Sequence, residues 1–165
     1  MEPISAELEA ACRELVELAG RKGLTVSTAE SCTAGMVASA IAGVPGASAV
    51  LRGGAVTYCD EVKHRVLGVD GETLAHHTAV SFETAREMAS GSRSLFCADV
   101  AVSLTGYAGP GGGTAADPAG TVYIATCDSR ACEAVRCSFP GSRNEVRAAA
   151  TVRAVEMLIA RLEVL

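Results

Sequence analysis

The chain has 165 residues, enough for one domain with a substantial core, and a formal charge of −5 from acidic residues spread along its length. No basic block or aromatic-interleaved basic stretch occurs, which excludes nucleic acid as an expected partner, because phosphate contacts need clustered Lys and Arg. Gly and charged residues interrupt every apolar run before it reaches membrane-spanning length, so no membrane partner is expected.

The first eleven residues mix Glu2, Glu7 and Glu9 with apolar side chains and lack the basic start and apolar run of a signal peptide. Seven cysteines, an odd number without framework spacing, point to a reduced, cytoplasmic protein. Cys127, Cys132 and Cys137 recur at five-residue intervals. Zinc ligands usually pair two to four residues apart, so no metal is expected there.

In chain order, Ile4 to Ala19 has helical apolar spacing, ended by Gly20 to Gly23. Leu24 to Ala29 reads as a strand, followed by a turn at Ser31 and a small-residue helix from Met36 to about Ala42. A second strand spans Ala49 to Tyr58, where Gly53 and Gly54 mark a bulge or a close backbone approach. Cys59 to Leu67 predicts a short helix capped by Asp60, and Glu72 to His76 a brief one. Ser81, with Thr84 three residues on, opens a longer helix to about Leu95, its inner side formed by Ala85, Met88, Ala89 and Ser92.

Asp99 to Leu104 is an apolar run of strand length, buried on both faces. The glycine-rich stretch Thr105 to Thr114 follows, and then Gly120 to Cys127 and Cys132 to Phe139 predict a hairpin around Asp128-Ser129-Arg130. Asn144 to Leu162 closes the chain as a helix, with Val146, Ala149, Ala150, Arg153, Met157 and Ala160 helically spaced. This order predicts a single α/β domain over residues 1–165, a three-layer α/β/α sandwich with a mixed, partly parallel sheet of about five strands.

Four features are able to carry chemistry, and each has a plain structural reading beside it. Ser31, at the junction of a strand and a helix, is either an N-cap or a nucleophile beside unpaired helix amides that hold an oxyanion. Tyr58 ends the second strand and Lys63 follows on the next helix turn. Lys63 is either a surface cation or, pointed at Ser31, a base whose pKa burial depresses, with Tyr58 relaying or holding the proton. The loop Gly106 to Thr114 is either an unliganded loop or a nest of amides for a phosphate. Its Gly111-Gly112-Gly113 with Ala116 fits G-x-G-x-x-A only loosely, since Asp117-Pro118 continues the loop where a helix should start. Arg143 and Arg147, one turn apart, suit a phosphate or carboxylate, or else form a solvated helix face with Glu145. No G-x-S-x-G surrounds any serine, which disfavours a Ser-His-Asp elbow.

Taken together, Ala29-Glu30-Ser31-Cys32-Thr33-Ala34-Gly35, Tyr58-Cys59-Asp60-Glu61-Val62-Lys63 with Leu67-Gly68-Val69, His77 before Ala79-Val80-Ser81, and Gly106-Tyr107-Ala108-Gly109-Pro110 with Gly112-Gly113 resemble the CinA C-terminal domain family. That family includes stand-alone nicotinamide mononucleotide deamidases. The resemblance runs from about the first helix to the last and implies an amidohydrolase that converts nicotinamide mononucleotide to nicotinic acid mononucleotide and ammonia. It implies Ser31 as nucleophile, Lys63 as base and Tyr58 as its assistant. It further implies substrate contacts at Cys32, Thr33, Gly35, Thr105, Gly106, Gly109 and Gly112, with Arg143 or Arg147 on the phosphate.

No cofactor is expected, the partner is a small nucleotide, and a homodimer is plausible from small-residue surfaces. The rival expectation is a pyridine-nucleotide-binding module without turnover. Two positions depart from the family pattern: Ala34 replaces the first of two glycines, adding a methyl near the expected oxyanion site, and Gly111 stands where an acidic residue is frequent. The family's two-domain members carry an N-terminal molybdopterin-binding-like domain that these residues do not contain.

Overall fold

The computed structural model describes residues 5–165. The expected helix start at Ile4 and residues 1–3 of the N-terminal stretch lie outside the described residues. Helix α1 (Ala6–Lys22) starts under Ser5, whose hydroxyl accepts from the Leu8 amide. It runs through Gly20 and stops at Gly23, which takes the left-handed conformation with φ 65°. The expected stop at Gly20 is therefore three residues early, because one glycine weakens a helix whereas a left-handed C′ glycine ends it.

Strand β1 (Val26–Glu30) lies inside the sheet, between two other strands, with every residue buried. Helix α2 (Met36–Ala42) and a 3₁₀ turn at Ala47–Ala49 lead to β2 (Leu51–Val56). The β1–β2 register skips a residue between Leu51 and Gly53, the bulge that the glycine pair suggested. Helix α3 (Asp60–Leu67) begins one residue earlier than an Asp60 cap would have it: Cys59 is the cap position and Asp60 the first helical residue. An acid there still favours the positive end of the helix.

Helix α4 (Gly71–His77) is capped by Asp70, and α5 (Phe82–Leu95) by Ser81, whose hydroxyl accepts from the Thr84 amide. The inner face of α5 is the expected one, Ala85, Met88, Ala89 and Ser92. Strands β3 (Val100–Gly106), β4 (Thr121–Cys127) and β5 (Cys132–Ser138) complete a five-stranded sheet in the order β2-β1-β3-β4-β5. The β1 pairings are parallel and those of β4 antiparallel, so the sheet is mixed. Helix α6 (Arg143–Glu163) closes the chain.

Helices α1, α2 and α6 cover one face of the sheet and α3, α4 and α5 the other, giving the three layers expected. The buried side of α6 is rotated from the predicted stripe. Ala150, Ala154, Leu158 and Leu162 are fully buried, whereas Arg153 and Ala160 face solvent. Large side chains decide the rotation, since burying a leucine contributes on the order of 2 kcal/mol and alanine far less.

Cys127 and Cys132 form a directly opposed pair at the closed end of the β4–β5 hairpin, with their sulfurs side by side. Cys137 packs with the opposite core cluster from Cys132, as five steps along a pleated strand require. Among the described residues no group of His, Cys, Asp or Glu gathers to hold a metal, and no helix is long and apolar enough to cross a membrane.

Candidate active site

Strand β1 ends at Glu30, whose carboxylate organises the turn that leads into α2. Glu30 is fully buried. One oxygen accepts from the Thr33 hydroxyl at 2.7 Å and from the Gly35 and Val37 amides at 3.0 and 3.1 Å. The other accepts from the Ala38 amide at 2.9 Å and the Thr28 hydroxyl at 3.2 Å. A buried carboxylate in an apolar core would be costly, but five donors and the positive end of α2 compensate it. The Gly35, Val37 and Ala38 amides at the start of α2 are thereby taken, which leaves the Cys32 and Thr33 amides as the candidates for an oxyanion.

Residues 31–35 form a turn between β1 and α2, and the cap position of α2 is Gly35 with φ 95°. Ser31 is consequently no cap. Its hydroxyl meets Lys63 Nζ at 3.1 Å. Lys63, on the first turn of α3, is only 1% exposed and also donates to the Thr57 carbonyl at 2.8 Å. Burial pushes its pKa below the ordinary 10.5, against the opposing pull of Asp60, Cys59 and Cys32. A neutral amine bonded to one carbonyl keeps its lone pair for the serine proton, the arrangement of a general base and its nucleophile. The neighbouring Cys32 thiol is pushed up to about 11, chiefly by burial, so it stays protonated near neutrality and does not compete as nucleophile.

On the outer side of the turn, Arg147 donates from Nε to the Cys32 carbonyl at 3.0 Å and from Nη2 to the Thr33 carbonyl at 3.3 Å. The turn is thus gripped by an anion within and a cation without. Among the described residues, the Cys32 and Thr33 amides donate to no backbone carbonyl, and the Cys32 amide lies against its own thiol.

A cavity of about 210 Å³ opens over Ser31 and Lys63. Its walls are Cys32, Tyr58, Ala79 and Val80, the run from Thr105 to Gly109 with Gly111, and Arg143. Gly106 lets β3 and β4 close together, because a Cβ there would lie 2.5 Å from the Thr121 carbonyl oxygen. Arg143 spans the mouth, donating to the Gly109 carbonyl at 3.0 Å and to the Tyr58 hydroxyl at 2.8 Å.

The family model of the CinA C-terminal domain matches residues 8–162. The chain belongs to the CinA C-terminal domain family. A "Putative competence-damage inducible protein" of Clostridium beijerinckii is 47% identical over 150 residues, 91% of this chain and 36% of the relative. A "CinA-like protein" of Citrifermentans bemidjiense is 45% identical over 160 residues, 94% of this chain and 39% of the relative. The chain thus spans under two fifths of the length of these two curated relatives. Among solved structures, the competence/damage inducible protein CihA of Agrobacterium tumefaciens superposes with a TM-score of 0.93 at 41% identity, over 97% of this chain and 98% of that one.

The CinA-like motifs divide between the cavity wall and its support. Ser31, Lys63, Cys32, Tyr58, Thr105, Gly106, Gly109 and Arg143 line the cavity. Thr33, Gly35 and Arg147 stand behind it, on Glu30 or on the turn carbonyls, and Gly112 gives way to Gly111 as a wall residue. Tyr58 is 58% exposed and its hydroxyl accepts from Arg143; among the described residues no hydrogen bond joins it to Ser31 or Lys63. The Thr105 hydroxyl is committed to the Ala79 carbonyl and helps to shape the wall. Ala34 is exposed and outside the cavity, so its methyl does not narrow the pocket; it lies instead at a left-handed position, φ 51°. Sequence reasoning missed Glu30 as a structural hub, and its only sign was a carboxylate directly before Ser31.

Proposed function

We propose that this chain is an amidohydrolase that releases ammonia from the carboxamide of nicotinamide mononucleotide and leaves nicotinic acid mononucleotide. The observation that carries the reading is the buried Lys63 amine 3.1 Å from the Ser31 hydroxyl at the floor of a cavity. Neutral Lys63 takes the Ser31 proton as the oxygen attacks the amide carbon. The oxyanion of the tetrahedral intermediate is held by the Cys32 and Thr33 amides. Collapse breaks the C–N bond, and the protonated lysine delivers its proton to the departing ammonia. A water molecule then attacks the acyl-serine with Lys63 again as base, and the acid leaves with Ser31 restored.

Of the two arginines, Arg143 is the one with a guanidinium at the cavity, suited to the substrate phosphate by charge and fork geometry. At about 210 Å³ the cavity is below the ~300–1,000 Å³ of sites that enclose a whole drug-sized ligand. It fits the carboxamide-bearing ring, with the ribose phosphate reaching toward Arg143 at the mouth.

The decisive measurement is ammonia release from nicotinamide mononucleotide by the wild-type protein and by Ser31→Ala. Release by wild type and its loss in the variant support the reading; nucleotide binding without release in wild type supports a binding module instead.

A further inference from the structure

Arg147 lies behind the cavity wall, and its bonds are all to the protein. Beyond the two turn carbonyls, its Nη1 donates to the Asn144 side chain at 3.2 Å. The grip on Cys32 has a directional effect. A peptide group is planar and trans, so the Cys32 carbonyl and the Thr33 N–H are opposite edges of one rigid plane. Holding the oxygen fixes where the hydrogen points. A cation on the oxygen also draws electron density across the plane and strengthens the N–H as a donor.

The second bond, to the Thr33 carbonyl, fixes the next plane, whose N–H on Ala34 is already used by the Ser31 carbonyl at 3.1 Å. Glu30 meanwhile occupies the amides of Gly35, Val37 and Ala38. The turn therefore leaves the Thr33 amide, two residues from Ser31, without a backbone acceptor while the peptide planes on either side of it are tied.

We propose that Arg147 is a positioning residue for catalysis: acting through the Cys32–Thr33 peptide, it holds the Thr33 N–H in the orientation the tetrahedral oxyanion needs, and it does not bind the substrate phosphate. The proposal rests on the amidase reading for its reaction. It separates Arg143 and Arg147 by task, with Arg143 on the substrate side of the wall and Arg147 on the protein side.

The test compares wild type, Arg147→Met and Arg147→Lys by kcat and KM for ammonia release from nicotinamide mononucleotide. Arg147→Met is expected to lower kcat about 10- to 100-fold with KM within about threefold, less than the ~10²–10³ of losing an oxyanion donor outright. Arg147→Lys, able to reach one carbonyl, recovers part of kcat. Should Arg147→Met unfold, the lysine variant carries the comparison alone, because it keeps the charge.

A second readout is the rate at which a simple alkyl fluorophosphonate labels Ser31, since its phosphoryl oxygen occupies the oxyanion position and it has neither pyridine nor nucleotide. Labelling is expected to slow by a similar factor. A KM raised more than about tenfold at unchanged kcat would make Arg147 a substrate ligand and overturn the proposal; unchanged kcat and unchanged labelling would reduce it to a surface brace. Absence of ammonia release from wild type would sink the amidase reading, while the labelling comparison still decides the role of Arg147.

Discussion

Helices α2 and α6 both begin beside the cavity, and each has first-turn amides without partners inside the helix. Helix α6 solves this locally. Ser142 accepts from the Glu145 amide and the Glu145 carboxylate returns to the Ser142 amide, a reciprocal capping box. Helix α2 solves it at a distance, with Gly35 at its cap position and the Glu30 carboxylate reaching forward from the end of β1. One serine caps and the other is spared from capping. A serine near a helix start becomes available for chemistry when another group has taken the amides it would otherwise satisfy.

The contrast breaks if the two serines behave alike. Ser31→Ala should abolish ammonia release, by a factor of about 10³ or more, with little change in unfolding midpoint. Ser142→Ala should do the reverse, losing about 1 kcal/mol of stability in urea titration while retaining activity.

Lys63→Met should also remove turnover, and its effect on stability has a definite sign. The lysine pKa is lower in the fold than in the unfolded chain, so the unfolded chain binds more protons between the two values and wild-type stability rises with pH across that window. At neutral pH the variant is expected to resist urea at least as well as wild type. The gap should close as pH approaches 10.5, the unperturbed value. The wild-type kcat/KM should rise with pH through the lowered pKa and then level off; a rate that falls over that range would remove Lys63 as base.

Glu30→Gln tests the other half of the comparison. It turns one acceptor into a donor facing amides and hydroxyls, so a loss of about 3 kcal/mol and slower turnover are expected together. A variant as stable as wild type would show that the α2 start does not depend on this carboxylate.

The smallest effect belongs to Ala34→Gly. A left-handed alanine costs roughly 1–2 kcal/mol, and the added freedom of glycine in the unfolded chain returns about half of that. A rise in melting temperature of a few degrees at unchanged kcat is expected. A fall would mean that the methyl makes contacts worth more than its backbone strain.

How far the sequence could be read followed the range of the interactions. Ser81 with Thr84 and Ser142 with Glu145 are within one helical turn of each other, and the helices they start were legible to within a residue. The strands were legible because β3 and β4 are nearly uniform apolar runs and Gly53 and Gly54 punctuate β2.

The pairing of Ser31 with Lys63 was legible. Lys63 reaches Ser31 across 32 positions, yet both residue types suit the chemistry and both follow strand ends. What was hidden were the residues whose tasks depend on direction. Arg143 and Arg147 are equivalent on a helical wheel but end on opposite sides of the cavity wall. Tyr58 follows a strand end close to the base but turns outward to Arg143. Periodicity places a side chain on a face and does not say what it reaches.

Helix α6 also ties the site to the order in which the chain is made. Ser31 and Lys63 precede Arg143 and Arg147 in the sequence and so leave the ribosome before them. A nascent chain that stops before residue 143 holds both reacting groups but has neither the clasp across the mouth nor the outer grip on the nucleophile's turn. On the proposed amidase reading, activity should therefore arise only after α6 has docked against α1 and α2.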